Sequence, residues 1–299
     1  MIFLDPKSDI AFKKLFGDIA HKNILISFLN SVLERTEGEK IIEVVMNDPS
    51  NVAETPLSKT SIVDVRCTDQ KNNQYIIEMQ VITQKDYAAR AQYYSSLALS
   101  RQLASGEKYD KLVPVIFVGI LDFNLFKSDN YLSHHFILDN KTHTQELKHL
   151  EFHFIELKKF AKEITELDNI LDKWVYFLKN AVSLQVIPEN LKNSVLEDAF
   201  NILAQSNWSK RELEAYDKYL DAIRSAASQL ETAFEKGIAK GMEKGIAEGK
   251  AEGKAEGKAE GEKKKAIEIA NQLLDILDIE TVAKKTGLSI DEIKSLKNK

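Results

Sequence analysis

Two short segments of the chain carry acids at positions where a hairpin would bring them together. Asp64 stands among apolar residues in Ile62-Val63-Asp64-Val65-Arg66-Cys67, and Glu78 does so in Tyr75-Ile76-Ile77-Glu78-Met79-Gln80-Val81. Between them, Asp69-Gln70-Lys71-Asn72-Asn73 is polar and turn-prone, so residues 61–68 and 74–82 read as the strands of an antiparallel hairpin. Strand alternation puts Asp64 and Arg66 opposite Val63, Val65 and Cys67, and Glu78 with Gln80 opposite Ile77, Met79 and Val81. Two carboxylates meeting across a ladder repel, and each raises the pKa of the other unless a cation lies between them. Such oxygen ligands suit Mg²⁺ or Mn²⁺, which retain water and also bind substrate phosphate. A metal held there acidifies bound water and neutralises charge on phosphorus, with Gln80 beside that water. The same side chains also describe the wet face of an amphipathic hairpin, interrupted by Ile62, Ile76 and Ile82.

The elements around the hairpin follow from pattern. Ser8 or Asp9 is a helix cap for a run that Gly17 breaks, and a second helical run follows through Leu33. Residues 41–46 read as a first strand. After the hairpin, 86–103 is a helix rich in Ala, Leu and Tyr, with Tyr87, Tyr93 and Tyr94 expected in the core. Residues 112–121 are almost wholly apolar, as in a strand covered on both faces. Weaker strands lie at 135–138 and 150–157, and helices fill 167–235, with Trp174, Phe177, Leu178 and Val182 on one face. His149, Glu151 and His153 share a strand face, a pattern that any half-exposed strand also shows.

Composition narrows the function. The 299 residues include 41 Lys+Arg against 46 Asp+Glu, a net charge of −5, so the chain does not bind nucleic acid as a simple polycation. A single cysteine excludes a disulfide framework and suits a reducing compartment. The opening segment lacks a basic leader, and the longest apolar run is half a membrane span, so the expectation is a cytoplasmic chain away from membranes.

Gly237, Gly241, Gly245, Gly249, Gly253, Gly257 and Gly261 recur every fourth residue. Each glycine costs a helix roughly 1 kcal/mol relative to alanine, and Glu248, Glu252, Glu256 and Glu260 are like-charged i,i+4 neighbours. The block therefore reads as an extended or weakly helical spacer, with a glycine-lined helix that pairs with itself as the sharper alternative. Beyond it, residues 263–277, 279–285 and 290–296 read as three helices, the last two in a helix-turn-helix-like arrangement. Eight lysines against six acids there is a weak charge bias for a DNA reader, and a helical cluster for partner contacts fits as well.

Helix, three strands with Asp on the second and Glu-x-Gln on the third, then helix and strand, resembles the PD-(D/E)XK nuclease core. The ordered set SDIAFKKLFG, VDVRC, YIIEMQV, YDKLVPVIFVGILDF, LEFHFIELKKF, DKWVYFLKN and NWSKRELEAYDKY, with the glycine-repeat tail, resembles the Rpn recombination-promoting nucleases, also described as PD-(D/E)XK nuclease family transposases. The resemblance implies an α/β restriction-endonuclease-like core over 1–160, a helical extension over 161–234, a spacer over 235–262 and a helical module over 263–299. It implies Asp64 and Glu78 as metal ligands, Gln80 where many relatives carry lysine, and Asp9 as a further acid near the metal. It points to Lys85, Arg90 and Arg101 as phosphate contacts. The activity implied is Mg²⁺-dependent cleavage of DNA with little sequence specificity, in recombination, transposition-like events or defence. Glutamine supplies neither charge nor a base at pH 7, so a catalytically silent DNA-binding or interaction module is the alternative. Residues 263–299 are the expected surface for a homo-oligomer or for a short C-terminal fragment of the same chain.

Overall fold

The computed structural model of the chain describes residues 1–51 and 61–297. The chain divides into two units, Met1–Ser225 and Ala226–Lys299. No helix among the described residues is long and apolar enough to cross a membrane.

In the first unit, the Ser8 hydroxyl accepts the Ala11 N–H and caps α1, Asp9–Phe16, which Gly17 closes. Helix α2, Lys22–Val32, follows. The strands are β1 (Val44–Met46), β2 (Ser50–Asn51), β3 (Ser61–Ile62), β4 (Val65–Asp69) and β5 (Gln74–Gln80). Helix α3, Tyr87–Ser100, then leads to β6 (Val115–Leu121), β7 (Leu132–Ile137) and β8 (Leu147–Glu156). Helices α4 (Ile170–Asn180), α5 (Ser194–Leu203) and the start of α6 (Lys210–Leu273) complete the unit. The main sheet has the order β1-β4-β5-β6-β8-β7, while β2 and β3 pair with each other. Strands β5, β6 and β8 run parallel and the other neighbours antiparallel, so α3 is the crossover of a β-α-β unit.

Helices cover both faces of this sheet. Val65, Cys67, Tyr75, Ile77, Ile116, Val118 and Ile120 join α1, α2, α4 and α5 in one core, with Phe12, Phe28 and Trp174 at its centre. Ile76, Val115, Phe117 and Leu121 join α3 in a second core through Tyr87, Ala91 and Ala98. Every side chain of β6 is buried, as its apolar run requires. The hairpin turn is held by Asp69, whose Oδ1 accepts the N–H groups of Lys71 and Asn73 while Asn72 takes a φ of 65°.

Four expectations fail locally. Residues 61–68 do not form one strand: the chain bends at Val63-Asp64, so Val63 joins the α3-side core while Val65 and Cys67 face the other side. The cause is Asp64 itself, whose carboxylate, rather than a ladder carbonyl, accepts the Met79 N–H. The side chain of Ile62 lies outside those described. Val182 falls beyond the end of α4 and is 48% exposed, and Tyr93 is 45% exposed rather than in the core.

The fourth departure is the glycine block, which is continuous α-helix within α6. Three of every four residues there are good helix formers, proline is absent, and the helix is already nucleated on either side of the block. In the second unit, the end of α6 packs with α7 (Ile279–Thr286) and α8 (Ile290–Lys297) around Ala270, Val282, Leu288 and Ile293. Gly287, at φ 74°, ends α7 in the left-handed conformation that glycine adopts without strain.

Gly119 lies directly opposite Glu78 in the β5–β6 ladder. A Cβ there would stand 2.8 Å from the Phe154 ring and 3.1 Å from the Tyr87 hydroxyl. Replacing Gly119 by alanine forces both rings to shift, and the expected cost is about 1–3 kcal/mol. Urea unfolding of Gly119→Ala against the parent checks this, and equal stability would show that the rings repack freely.

Candidate active site

The two acids of the hairpin come together as the register requires. Val65 pairs with Ile77, so the bend places Asp64 next to the backbone of Glu78 and Met79, and Asp64 Oδ2 accepts the Met79 N–H at 2.8 Å. Burial pushes the Asp64 pKa up, and the charge of Asp9 adds to this, against the Met79 hydrogen bond and the charges of Lys13 and Arg90. Glu78, 6% exposed, is raised to about 7, first by burial and further by Asp64, with Arg90 opposing. Each carboxyl is thus disfavoured as an anion, and a cation between them would relieve both.

Arg90 projects from the first turn of α3 over this pair. One guanidinium nitrogen, Nη2, donates to Gln80 Oε1 at 2.8 Å and lies 3.7 Å from Glu78 Oε2. The other, Nη1, donates to Gln84, and the guanidinium stacks 4.9 Å from the centre of the Tyr87 ring. The Gln80 amide is engaged at both ends, since its Nε2 donates to the Ile82 carbonyl at 3.1 Å. The Tyr87 hydroxyl is buried near Glu78, and its pKa is pushed far above the usual phenol value by burial and by that carboxylate.

Beside the pair opens a cavity of about 350 Å³ lined by Asp64, Asp9, Gln80, Lys7, Ile82 and Tyr219. Asp9, on the first turn of α1, forms an ion pair with Lys13 at 2.7 Å. Lys7 is held 3.1 Å from Asp122 at the end of β6, whose backbone N–H donates to the Gln80 carbonyl. Asp9, Asp64, Glu78 and Gln80 therefore gather at one place, together with Arg90. Lys85 is exposed at the mouth of α3. Arg101 is not at the site: it caps the far end of α3, roughly 16 Å along the helix from Arg90, where its charge acts on Arg66.

Lys7, Asp122 and Tyr219 do not stand out in the sequence. Only Asp122 has a signal there, because it directly follows the apolar run of β6, at the carboxyl end of a parallel strand where open α/β sheets place their ligands. Among the described residues, no group of three or more His, Cys, Asp or Glu side chains is gathered tightly enough to hold a metal ion unaided. The donor chemistry of Asp64 and Glu78 nonetheless fits a hard divalent cation whose remaining ligands are water and substrate oxygens.

The shift of Glu78 has a thermodynamic consequence. In the metal-free protein the folded state keeps its proton up to about pH 7, whereas the unfolded chain releases it near the ordinary value of 4.5. The stability from this group is therefore full below pH 4.5 and is lost as pH rises through about 7, by on the order of 3 kcal/mol. Denaturant unfolding in EDTA at pH 5 and pH 8 should show Glu78→Gln losing less stability over this range than the parent. Parallel losses would disprove the shift.

Comparison with known families places these residues in context. The family model described as PD-(D/E)XK nuclease family transposase matches residues 6–233, which include the bend at Asp64, Glu78, Gln80, α3 and the whole sheet. No curated protein and no solved structure matches the chain. With most of its length, and every acid of the cavity, inside that match, the chain belongs to the PD-(D/E)XK nuclease family transposases.

Proposed function

We propose that the chain is a Mg²⁺-dependent DNA endonuclease of low sequence specificity, with Mn²⁺ as a substitute, acting in recombination, transposition-like events or defence. The observation that carries this reading is the convergence of Asp64 and Glu78, two mutually repelling and desolvated carboxyls, with Asp64 lining a cavity that Asp9 and Lys7 share. Asp64 and Glu78 would hold the cation, with Asp9 adding negative potential from α1. When bound, it supplies activation of water and neutralisation of charge on the scissile phosphate.

The chain's own residues have separate tasks. Arg90 keeps Glu78 ionisable and pins the Gln80 carbonyl oxygen, so it supplies from a helix the positive charge that glutamine lacks on the strand. A supporting role for Arg90 is preferred to phosphate contact, because each of its two terminal nitrogens already donates within the chain. Water positioning by Gln80 requires its Nε2 to leave the Ile82 carbonyl. Lys7 brings an ammonium to the same cavity, where it can meet a phosphate oxygen.

The rival reading, a silent DNA-binding or interaction module, draws on the 6% exposure of Glu78. Nicking of circular DNA in Mg²⁺ separates the two. Asp64→Asn and Glu78→Gln should each lower the rate by at least about 100-fold, and EDTA should abolish cleavage. A parent without activity, or variants as fast as the parent, would favour the silent module. Arg90→Met should cost about 10–100-fold in kcat with little change in KM. A rise in KM alone would return Arg90 to the phosphate-contact role.

A further inference from the structure

A second cluster of titratable side chains lies on the far face of the sheet from Glu78. Glu78 shares its strand face with Ile76, toward α3, whereas His153 shares its own with Ile155, in the core on the other side. His134 of β7 and His153 of β8 are direct cross-strand partners, and their Nδ1 atoms stand 2.6 Å apart. Each ring turns its other nitrogen toward a carboxylate. His134 Nε2 lies 3.8 Å from Glu34 Oε2, and His153 Nε2 lies 3.7 Å from Glu151 Oε2. Glu34 follows α2 with a φ of 48°, where a helix commonly ends on glycine, so the backbone bears strain at the residue that faces His134. Arg35 stands 3.9 Å from Glu151. Against burial, His153 and Arg35 hold the Glu151 carboxyl below the usual carboxylate range.

These contacts set the two imidazoles against each other. A carboxylate favours the N–H form of the nitrogen that faces it, so Nε2 carries the hydrogen on both rings and Nδ1 keeps a lone pair on both. Two lone pairs at 2.6 Å repel. A proton between them would create an imidazolium beside His153, which is 3% exposed, and burial together with His153 lowers the pKa of His134. A metal ion instead accepts both lone pairs at once, and carboxylates behind the rings are the usual means of orienting ligating histidines. Imidazole nitrogen suits Zn²⁺ and related transition metals rather than Mg²⁺. Two nitrogens bound tetrahedrally to Zn²⁺ stand about 3.3 Å apart, so the rings have to part by roughly 0.7 Å. His134 lies on the edge strand of the sheet, where such a shift is easily made. Both rings line a cavity of about 380 Å³, which has room for water to complete the shell of the ion.

From these facing, carboxylate-backed imidazoles we propose that His134 and His153 form a binding site for a divalent transition metal, with Glu34 and Glu151 orienting the two ligands. Only two protein side chains ligate the ion, in keeping with the lack of any tighter group of His, Cys, Asp or Glu among the described residues. The ion ties β7 to β8 through their side chains and, through Glu34, to the end of α2. The site is separate from Asp64 and Glu78 and does not depend on the nuclease reading.

Calorimetric titration of the metal-free full chain with Zn²⁺ in excess Mg²⁺ tests it, with circular dichroism confirming that each variant is folded. The parent should bind Zn²⁺. His134→Gln, on the edge strand, should weaken binding at least about tenfold, and Glu34→Gln about tenfold. Asp64→Asn and the exposed His149→Gln should bind as the parent does. In nitrogen NMR spectra of the imidazoles, Zn²⁺ should shift Nδ1 of His134 and His153 and leave Nε2 protonated. A parent that binds no Zn²⁺, His134→Gln binding as tightly as the parent, loss of the site in Asp64→Asn, or ligation through Nε2 would overturn the proposal.

Discussion

Two carboxyl groups withdrawn from water at neighbouring points of one sheet are the constraint to which the first unit is built. Asp64 and Glu78 cost the fold free energy as anions, and what surrounds them lowers that cost without removing it. The Met79 N–H takes one Asp64 oxygen, and Arg90 stands 3.7 Å from Glu78. Neither contact is enough, since both acids remain shifted upward. A fold selected for stability alone would have filled these positions with apolar side chains, because their neighbours on that face, Ile76 and Phe117, already belong to a core. The burial cost that remains is the kind that a nearby positive charge relieves.

The architecture serves this pair through small local decisions. The bend at Asp64 breaks a strand so that a side chain can substitute for a ladder partner. Gly119 leaves the space on β6 into which Tyr87 and Phe154 fit beside Glu78. The β5-α3-β6 crossover carries Arg90 and Tyr87 on the first turn of the helix, back over the end of the strand that holds Glu78 and Gln80. Helix α1 brings Asp9 from the other layer, and Tyr219 of α6 closes the cavity through a hydrogen bond to the Lys7 carbonyl.

Much of this was legible before any coordinates, because the signals were local. The polar turn at Asp69–Asn73, the alternation of β5 and the doubly buried run of β6 depend on neighbours in sequence, and the gathering of Asp64, Glu78 and Gln80 follows from them. The bend was not legible, since Val63 and Val65 read as one face until a long-range hydrogen bond from Met79 breaks the alternation. The commitment of Arg90 to Gln80 and Gln84 was equally hidden, because a free surface arginine and one clamped by neighbours look alike in a sequence. The glycine block misled for a different reason. Intrinsic propensity describes an isolated segment, whereas this segment continues a helix already formed.

Glutamine at position 80 of β5 is best understood through where charge can be held. A lysine at position 80 would bring its own ammonium to the two acids from the strand and would need no partner. Glutamine brings a dipole, so its orientation has to be fixed from outside, and Arg90 does this while facing Glu78. Moving the cation from strand to helix makes the site depend on α3 staying packed. Tyr87, fully buried beneath the guanidinium, is what keeps it there. The aromatic side chains of α3 are therefore part of the electrostatics of the site: they hold in place a charge that the strand itself does not carry.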